Sequence, residues 1–338
     1  MNIQQAIAQV VERQDLTRQD MQSVMQQIMS GECTDAQIGG LLIALRMKGE
    51  TVSEITAAAA VMASLASHVE IDATNLIDIV GTGGDGTSTF NVSTAASFVA
   101  AGAGCTVAKH GNRSVSSQSG SADVLEQAGA NLSLEPHQVV KVIERSGVGF
   151  MFAPMHHSAM RHAIGPRKEM AVRTLFNVLG PLTNPAKVKR QVVGVFAKNL
   201  TDTLANVFKQ LGSEHSLVVH SDDGMDEISI CAPTTVSEMR DGKVQRYRIK
   251  PEDFGLKTAK LEEIVVPDSA ASLALIDTIL EAESGAARDI VVLNAGAGIY
   301  VSGLAESLKI GVQMAQESID SGKAKAAKAA YVLATLNV

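Results

Sequence analysis

The stretch DIVGTGGDGTSTFNVSTAASF, Asp78 to Phe98, carries a G-x-G-x-x-G pattern at Gly81, Gly83 and Gly86 directly behind an apolar run. On paper this is the fingerprint of a dinucleotide-binding turn, and the fold turns on whether that reading holds. Three features oppose it. The loop follows a helical region instead of opening the α/β region. No helix opens at Gly86, because TSTFN intervenes. The next apolar run, CTVAK, ends in Lys109, where a ribose-binding turn needs Asp or Glu. A P-loop reading fails as well, since Thr87 stands where that motif requires Lys. What remains is a glycine loop whose backbone can approach a ligand closely and expose amide N–H groups. Hydroxyl and amide side chains at Thr87, Ser88, Thr89, Asn91, Ser93 and Thr94 add donors. Asn91 or Ser93 is placed to cap a following helix, whose N-terminus favours an anion. The loop reads as a phosphate site, against the plain alternative of a strand–turn–helix connection.

Upstream, residues 1–70 read as helices only. Thr17 opens a pattern that spaces Met21, Val24, Met25 and Ile28 on one face and stops at Gly31. Thr34 with Gln37, and Thr51 with Glu54, stand in capping-box spacing. Downstream, from about Ile71, apolar runs alternate with helical patterns, which argues for a largely parallel sheet. Candidate strands are LIDIV, CTVAK, GFMFA, QVVGVF, SLVVHS and DIVVLNA. An antiparallel pair is expected around a turn at Asp241 and Gly242. Residues 155–180 read as helical and interrupt the strands, and the Gly-rich LNAGAGIYVSG reads as close helix–sheet packing. The fold class is therefore α/β: a small helical domain, 1–70, and a larger α/β domain, 71–338.

Composition bounds the function. The chain has 338 residues, 46% hydrophobic and 19% charged, which fits a globular protein with a substantial core. Aromatics make up 3%, with no Trp, and the net charge is −7 without a basic arm, so a base-stacking or nucleic-acid surface is not expected. Cys33, Cys105 and Cys231 are dispersed and fit a reducing compartment. The N-terminal residues carry no secretory pattern and no run reaches the length of a membrane span. The expectation is a cytoplasmic protein with no membrane partner.

Three further clusters carry chemistry. KHGNRSVSSQSGSADVLE, Lys109 to Glu126, offers cations at Lys109, His110 and Arg113 and hydroxyls at Ser114, Ser116, Ser117, Ser119 and Ser121. It follows a strand expected beside the glycine loop, so two phosphate-friendly loops share the carboxyl edge of the sheet, where α/β sheets bind ligands. Such a pair suits a ligand with more than one phosphate. HSDDGMDEIS supplies Asp222, Asp223, Asp226 and Glu227 behind another apolar strand; a few of these carboxylates suit Mg²⁺ beside a polyphosphate. MHHSAMRHAIGPRKEMAVRTLFNVLGPLTNP carries His157, Arg161 and Arg167. Gly165 and Pro166 precede Arg167, which can fork onto a carboxylate.

Taken together, GTGGDGTSTFNVSTAASFVAAGAG, KHGNRSVSSQSGSADVLE, RTLFNVLGPLTNP and the pair Asp226 and Glu227 resemble anthranilate phosphoribosyltransferase over almost the whole chain. The resemblance implies a homodimeric enzyme of tryptophan biosynthesis. It would join anthranilate to 5-phospho-α-D-ribose 1-diphosphate (PRPP) and release diphosphate. It implies a helical domain completed by part of residues 160–185, with the active site in the cleft. It implies PRPP contacts from Gly81, Gly84, Asp85, Thr89, Asn91, Val92, Ser93 and Thr94, and from Lys109, His110, Gly111, Asn112, Arg113, Ser114, Val115, Ser116, Ser117 and Ser121. Ser93, Asp226 and Glu227 would serve Mg²⁺; Gly81, Asn112 and Arg167 would contact anthranilate, with His110 and His157 lining its path. The alternatives are a pyrimidine nucleoside phosphorylase of related fold, which the acidic pair and the HGNR loop disfavour, and a non-catalytic phosphoribosyl-ligand binder.

Overall fold

The computed structural model describes residues 1–113 and 119–338. Four helices open the chain: α1 (Ile3–Val11), α2 (Arg18–Ser30), α3 (Asp35–Lys48) and α4 (Val52–Ser64). Their ends follow local chemistry. The Thr17 hydroxyl accepts the Asp20 N–H, and the Thr34/Gln37 and Thr51/Glu54 capping boxes both form. α2 stops at Gly31, whose φ of +81° is left-handed. Glu54 does more than cap. It is fully buried, its Oε1 accepts the Leu16 N–H at 2.9 Å, and its Oε2 holds Lys48 Nζ at 2.9 Å. That one carboxylate ties together the turn after α1, the end of α3 and the start of α4.

The α/β region follows with β1 (Leu76–Gly81), α5 (Val92–Gly102), β2 (Thr106–Gly111), α6 (Ser121–Gln127), α7 (Pro136–Ser146) and β3 (Val148–Phe152). A helical stretch of α8 (Ala153–His156), α9 (Arg161–Met170) and α10 (Phe176–Leu179) interrupts the strands. Then come β4 (Arg190–Gly194), α11 (Leu200–Leu211), β5 (His215–Ser221), β6 (Thr234–Arg240) and β7 (Lys243–Ile249). The chain closes with α12 (Ser269–Leu280), α13 (Ala286–Ser302), α14 (Leu308–Asp320) and α15 (Lys323–Leu336).

The strands form one sheet in the order β3-β2-β1-β4-β5-β6-β7. The five from β3 to β5 are parallel, and β6 and β7 extend them antiparallel. The β6–β7 hairpin turns at Asp241 and Gly242, both at positive φ, as a two-residue turn requires. Strand alternation sends side chains to two cores: Val192, Leu217 and Val219 to one face, Val193 and Val218 to the other. The first face is covered by α5, α7, α13 and α15, with α14 packed on α5 and α13. The second carries α11 and, through it, the opening helices. α9 packs on α2 and α3, and α10 on α4, so Ala163, Leu175 and Phe176 join the same core as the opening helices.

One expected strand is not a strand. DIVVLNA lies within α13, buried on nearly every side against β1, β4, β5, α5 and α14. A helix apolar all round gives a continuous apolar run that short-range periodicity cannot tell from a buried strand. The glycines of this segment serve packing as expected, in two ways. A Cβ on Gly298 would meet Ile79 Cδ1 of β1 at 2.6 Å, whereas one on Gly296 would meet the Val312 backbone of α14 at 2.7 Å. We predict that Gly296→Ala forces α13 and α14 apart at a cost of about 1–3 kcal/mol. Urea denaturation checks this; an unchanged midpoint would show that the two helices can separate freely.

Candidate active site

The chain runs β1, β2, β3 to one side and then returns to place β4 on the other side of β1. That reversal makes the carboxyl ends of β1 and β4 the switch point where ligands bind in such sheets. Gly81 and Gly194 end these strands and pair in register. Glycine is required at both. A Cβ on Gly81 would lie 2.4 Å from Asp226 Oδ2, and one on Gly194 only 1.4 Å from the Asp226 carbonyl oxygen. Asp226, arriving from the loop after β5, fills the space these missing side chains leave, and its Oδ2 accepts the Gly83 N–H at 2.6 Å. The acidic loop and the glycine loop are thus one structure.

The glycine loop has Gly83, Gly84 and Gly86 at φ of +69°, +77° and +78°, and Ser88 at +53°. Thr87 spends its hydroxyl on Asp85 at 2.6 Å. Thr89 makes an isolated bridge to Val265, the Val266 N–H donates to the Ser88 carbonyl, and Phe90 donates to the Ile264 carbonyl. α5 then begins at Val92. Asn91 occupies the cap position but makes no side-chain cap; its Oδ1 accepts the hydroxyls of Ser119 at 2.7 Å and Ser272 at 2.8 Å. The Ser93 side chain does not cap either, its Oγ being engaged by Lys109. The expected cap therefore does not form, and Glu227 lies beside the Ser93 backbone at this helix start. Thr94 is buried, with its hydroxyl unpartnered among the described residues.

Lys109 is buried, and its Nζ donates to the Ile79 carbonyl at 2.6 Å and to Ser93 Oγ at 3.0 Å. Burial lowers its pKa, opposed by Asp78, Glu227 and Asp226. Asp78, a charge inside an otherwise apolar strand, accepts Asn184 Nδ2 at 2.8 Å and faces the His110 N–H; burial raises it to about 6. Asn184 also donates to the Ala108 carbonyl, so the last part of the NVLGPLTNP motif clamps β1 to β2 beneath the loops. Gly111 ends β2, and Asn112 accepts the Ala122 N–H through its carbonyl as α6 begins at Ser121. Arg113 is paired with Glu126 at 2.5 Å and Asp123 at 3.2 Å and lies over the Phe152 ring. Ser114, Val115, Ser116 and Ser117 lie outside the described residues.

Three carboxylates crowd this edge. Burial and then the neighbouring Asp85 raise Asp226 to about 7, and burial and then Asp226 raise Glu227 well above the usual range. Lys109 is the cation against them. Buried charge without full compensation is costly, and a divalent cation is the group whose binding would relieve it. No set of three His, Cys, Asp or Glu side chains is already arranged as a metal cage among the described residues. Mg²⁺ needs none, since it takes one or two carboxylates and completes its shell with water and phosphate oxygens. The donor set fits Mg²⁺.

Beside the acid cluster stand two imidazoles, His110 and His157, with ring centroids 5.0 Å apart. His110 Nδ1 meets the Gly180 carbonyl at 3.1 Å, which assigns the proton to that nitrogen and leaves its Nε2 an acceptor; the Nε2 atoms of His110 and His157 are both buried without a partner among the described residues. Arg167 sits in α9 one residue after Pro166, which the helix carries in its interior. Its guanidinium lies 5.4 Å from the Phe176 ring centroid and has no ion-pair partner among the described residues; burial lowers its pKa. Four residues that hold this site were not singled out in the sequence: Gly194, Asn184, Ser272 and Arg173, whose Nη2 donates to the Gly84 carbonyl. Arg173 and Asn184 fall within RTLFNVLGPLTNP, with no role read for either.

A helical bundle joined to an α/β sheet, with a glycine loop over a carboxylate cluster at the switch point, is the arrangement of a glycosyl-transferring class of enzyme. Residues 4–66 match the glycosyl transferase family helical bundle domain and residues 73–325 the glycosyl transferase family a/b domain. The anthranilate phosphoribosyltransferase of Thioalkalivibrio sulfidiphilus is 59% identical over 96% of this chain and 96% of its own. The crystal structure of the Thermus thermophilus enzyme superposes with a TM-score of 0.93 at 41% identity, covering 98% of this chain and 99% of that one. The Saccharomyces cerevisiae enzyme in complex with PRPP and Mg gives 0.91 at 26% identity, covering 99% and 98%. The chain belongs to the anthranilate phosphoribosyltransferase family. It transfers the phosphoribosyl group of PRPP to the amine of anthranilate, a step of tryptophan biosynthesis, and the nucleoside phosphorylase reading falls away.

The imidazoles give a signed test. Burial, then His157, lowers His110 from 6.5 to about 3, and burial, then His156, lowers His157 to about 4. Below pH 6.5 the unfolded chain takes up protons that the folded chain refuses, so each imidazole withdraws stability as pH falls. Asp78 and Asp226, raised in the fold, act in the opposite sense, so the informative quantity is a difference. The stability margin of the wild type over His110→Asn should shrink by about 2 kcal/mol between pH 7 and pH 5. A margin that stays constant in urea denaturation would mean that His110 titrates as an exposed imidazole.

Proposed function

We propose that this edge of the sheet divides the family reaction among its residues as follows. PRPP lies along the glycine loop, at Gly81, Gly84, Asp85 and Thr89 and the following Asn91, Val92, Ser93 and Thr94. It extends to the second loop from Lys109 to Ser117 and to Ser121. Ser93, Asp226 and Glu227 hold Mg²⁺. Anthranilate lies against Gly81 and Asn112, its carboxylate on Arg167 and its amine beside His110 and His157. The observation that carries this reading is the uncompensated carboxylate cluster beneath a glycine loop at the switch point.

The reaction breaks the bond between ribose C1 and the diphosphate oxygen while the amine nitrogen bonds to C1 from the opposite side. The α-diphosphate therefore gives the β-ribosylamine by a single displacement. Positive charge grows on the sugar and negative charge on the leaving diphosphate. When bound, Mg²⁺ supplies neutralisation of that negative charge. The loop amides and the N-terminus of α5 stabilise the same charge without reorganising. Arg167 and the two unpartnered Nε2 atoms orient the amine: the guanidinium fork fixes the carboxylate, and the imidazoles accept from the amine N–H. Holding the nucleophile in line supplies much of the remaining acceleration. An aromatic amine is a weak base, and the displacement does not demand a strong general base.

The helical domain is proposed to comprise residues 1–70 together with part of 160–185, a division supported by the packing of α9 on α2 and α3. The active form is proposed to be a homodimer, to which the exposed Val11 and Met47 of the neighbouring α1 and α3 offer apolar surface. A cytoplasmic setting suits the three free cysteines, and no helix among the described residues is long and apolar enough to cross a membrane.

Loss of anthranilate fluorescence on addition of PRPP and Mg²⁺ tests the reading, with wild type and Arg167→Ala compared at varied concentrations of each substrate. Removing a charge-assisted fork should raise the anthranilate KM roughly ten- to a hundred-fold and leave the PRPP KM nearly unchanged. Equal effects on both constants would assign Arg167 to packing against Phe176 instead.

A further inference from the structure

We infer that Arg173 is a positioning residue for the glycine loop, fixing the peptide that joins Gly84 to Asp85 before any ligand arrives. The inference rests on the reading of this loop as the phosphate site. Arg173 lies in the connection between α9 and α10, far from the loop in sequence. Its Nη2 donates to the Gly84 carbonyl, and its guanidinium lies 4.3 Å from the centroid of the Phe196 ring, just beyond β4. Its own carbonyl accepts Arg46 Nη1, from the last turn of α3, at 2.5 Å. The residue is therefore held at both ends, its backbone by the helical bundle and its side chain by the α/β region.

An ordinary surface arginine explains little of this. Arg173 is exposed and has no carboxylate at ion-pair distance among the described residues, so no salt bridge accounts for its pose. What it does have is the carbonyl of a glycine at φ +77°. Glycine peptides with positive φ turn over easily, because no Cβ restricts them. In a planar trans peptide the carbonyl and the following N–H point in opposite directions. Pinning the Gly84 carbonyl to Arg173 therefore points the Asp85 N–H away from Arg173.

The rest of the loop is anchored from the α/β region: Gly83 by Asp226, and Ser88 and Phe90 by the segment 264–266. Arg173 supplies the anchor between them, and among the described residues it is the one that, through Arg46, also bears on the helical bundle. A loop held in this way meets the diphosphate with its amides already arranged, and the ordering cost is not charged to binding.

The test uses the full-length protein and its Arg173→Ala and Arg173→Lys variants. Hydrogen–deuterium exchange without ligand should be faster over residues 82–87 in Arg173→Ala, with an unchanged melting temperature. Calorimetry should show PRPP·Mg²⁺ binding weakened by about ten-fold, the usual consequence of losing a charged hydrogen bond, with the anthranilate KM unaltered. Arg173→Lys keeps a donor and should recover part of both effects. Unchanged exchange would overturn the proposal even if PRPP binding weakened, because Arg173 would then act by direct contact. Unchanged exchange with unchanged binding would overturn it too. If the wild type itself fails to bind PRPP·Mg²⁺, the phosphate reading of the loop falls, whatever the exchange data show.

Discussion

Everything in the site depends on one steric arrangement: Asp226 packed into the space where Gly81 and Gly194 have no side chains. The two glycines end adjacent parallel strands in register, and the acidic loop can descend to the sheet edge only because both are bare. Once there, the carboxylate takes the Gly83 N–H and fixes the start of the glycine loop. Its neighbour Glu227 lies beside the Ser93 backbone at the start of α5. Asp226 thus organises the backbone of the glycine loop through an amide N–H that the turn leaves unpaired.

The cost of that arrangement is electrostatic. Asp226, Glu227 and Asp85 are held close together, with Asp226 away from water, and Lys109 is the cation beside them. Carboxylates raised in this way would exchange their protons for a cation that arrives with its own anionic ligand, and in the proposed reading metal-bound PRPP has that chemistry. The proposed aromatic-amine side is built on the opposite principle. Burial holds His110 and His157 neutral, and Arg167 has no ion-pair partner among the described residues, a setting that would attract an acceptor's carboxylate with no competing positive charge at the imidazoles.

How much of this the sequence disclosed follows the range of each interaction. Thr34 with Gln37 and Thr51 with Glu54 were readable because capping partners lie three residues apart. That the glycine loop and the acidic pair share one edge of the sheet was readable because both follow apolar strands. The misreadings are nonlocal. Asn91 looked like a helix cap, but its partners are Ser119 and Ser272, the latter 181 residues away. Glu227, which lies beside the start of α5, comes from beyond β5. DIVVLNA looked like a strand because α13 is enclosed on all sides and shows no polar face. Nothing beside Arg173 in the chain announces that it reaches Gly84, or that Gly194 must be glycine for the sake of Asp226.

The central claim is that the buried carboxylates brace the loop and await a divalent cation. It is tested most directly by a crystal structure with PRPP and Mn²⁺ in place of Mg²⁺, read by the anomalous signal of manganese. The account predicts a peak bridging the diphosphate to Glu227 or Asp226, with Asp226 still seated against Gly81 and Gly194. A metal bound to the diphosphate alone, with both carboxylates remote from it and the loop unchanged, would contradict it.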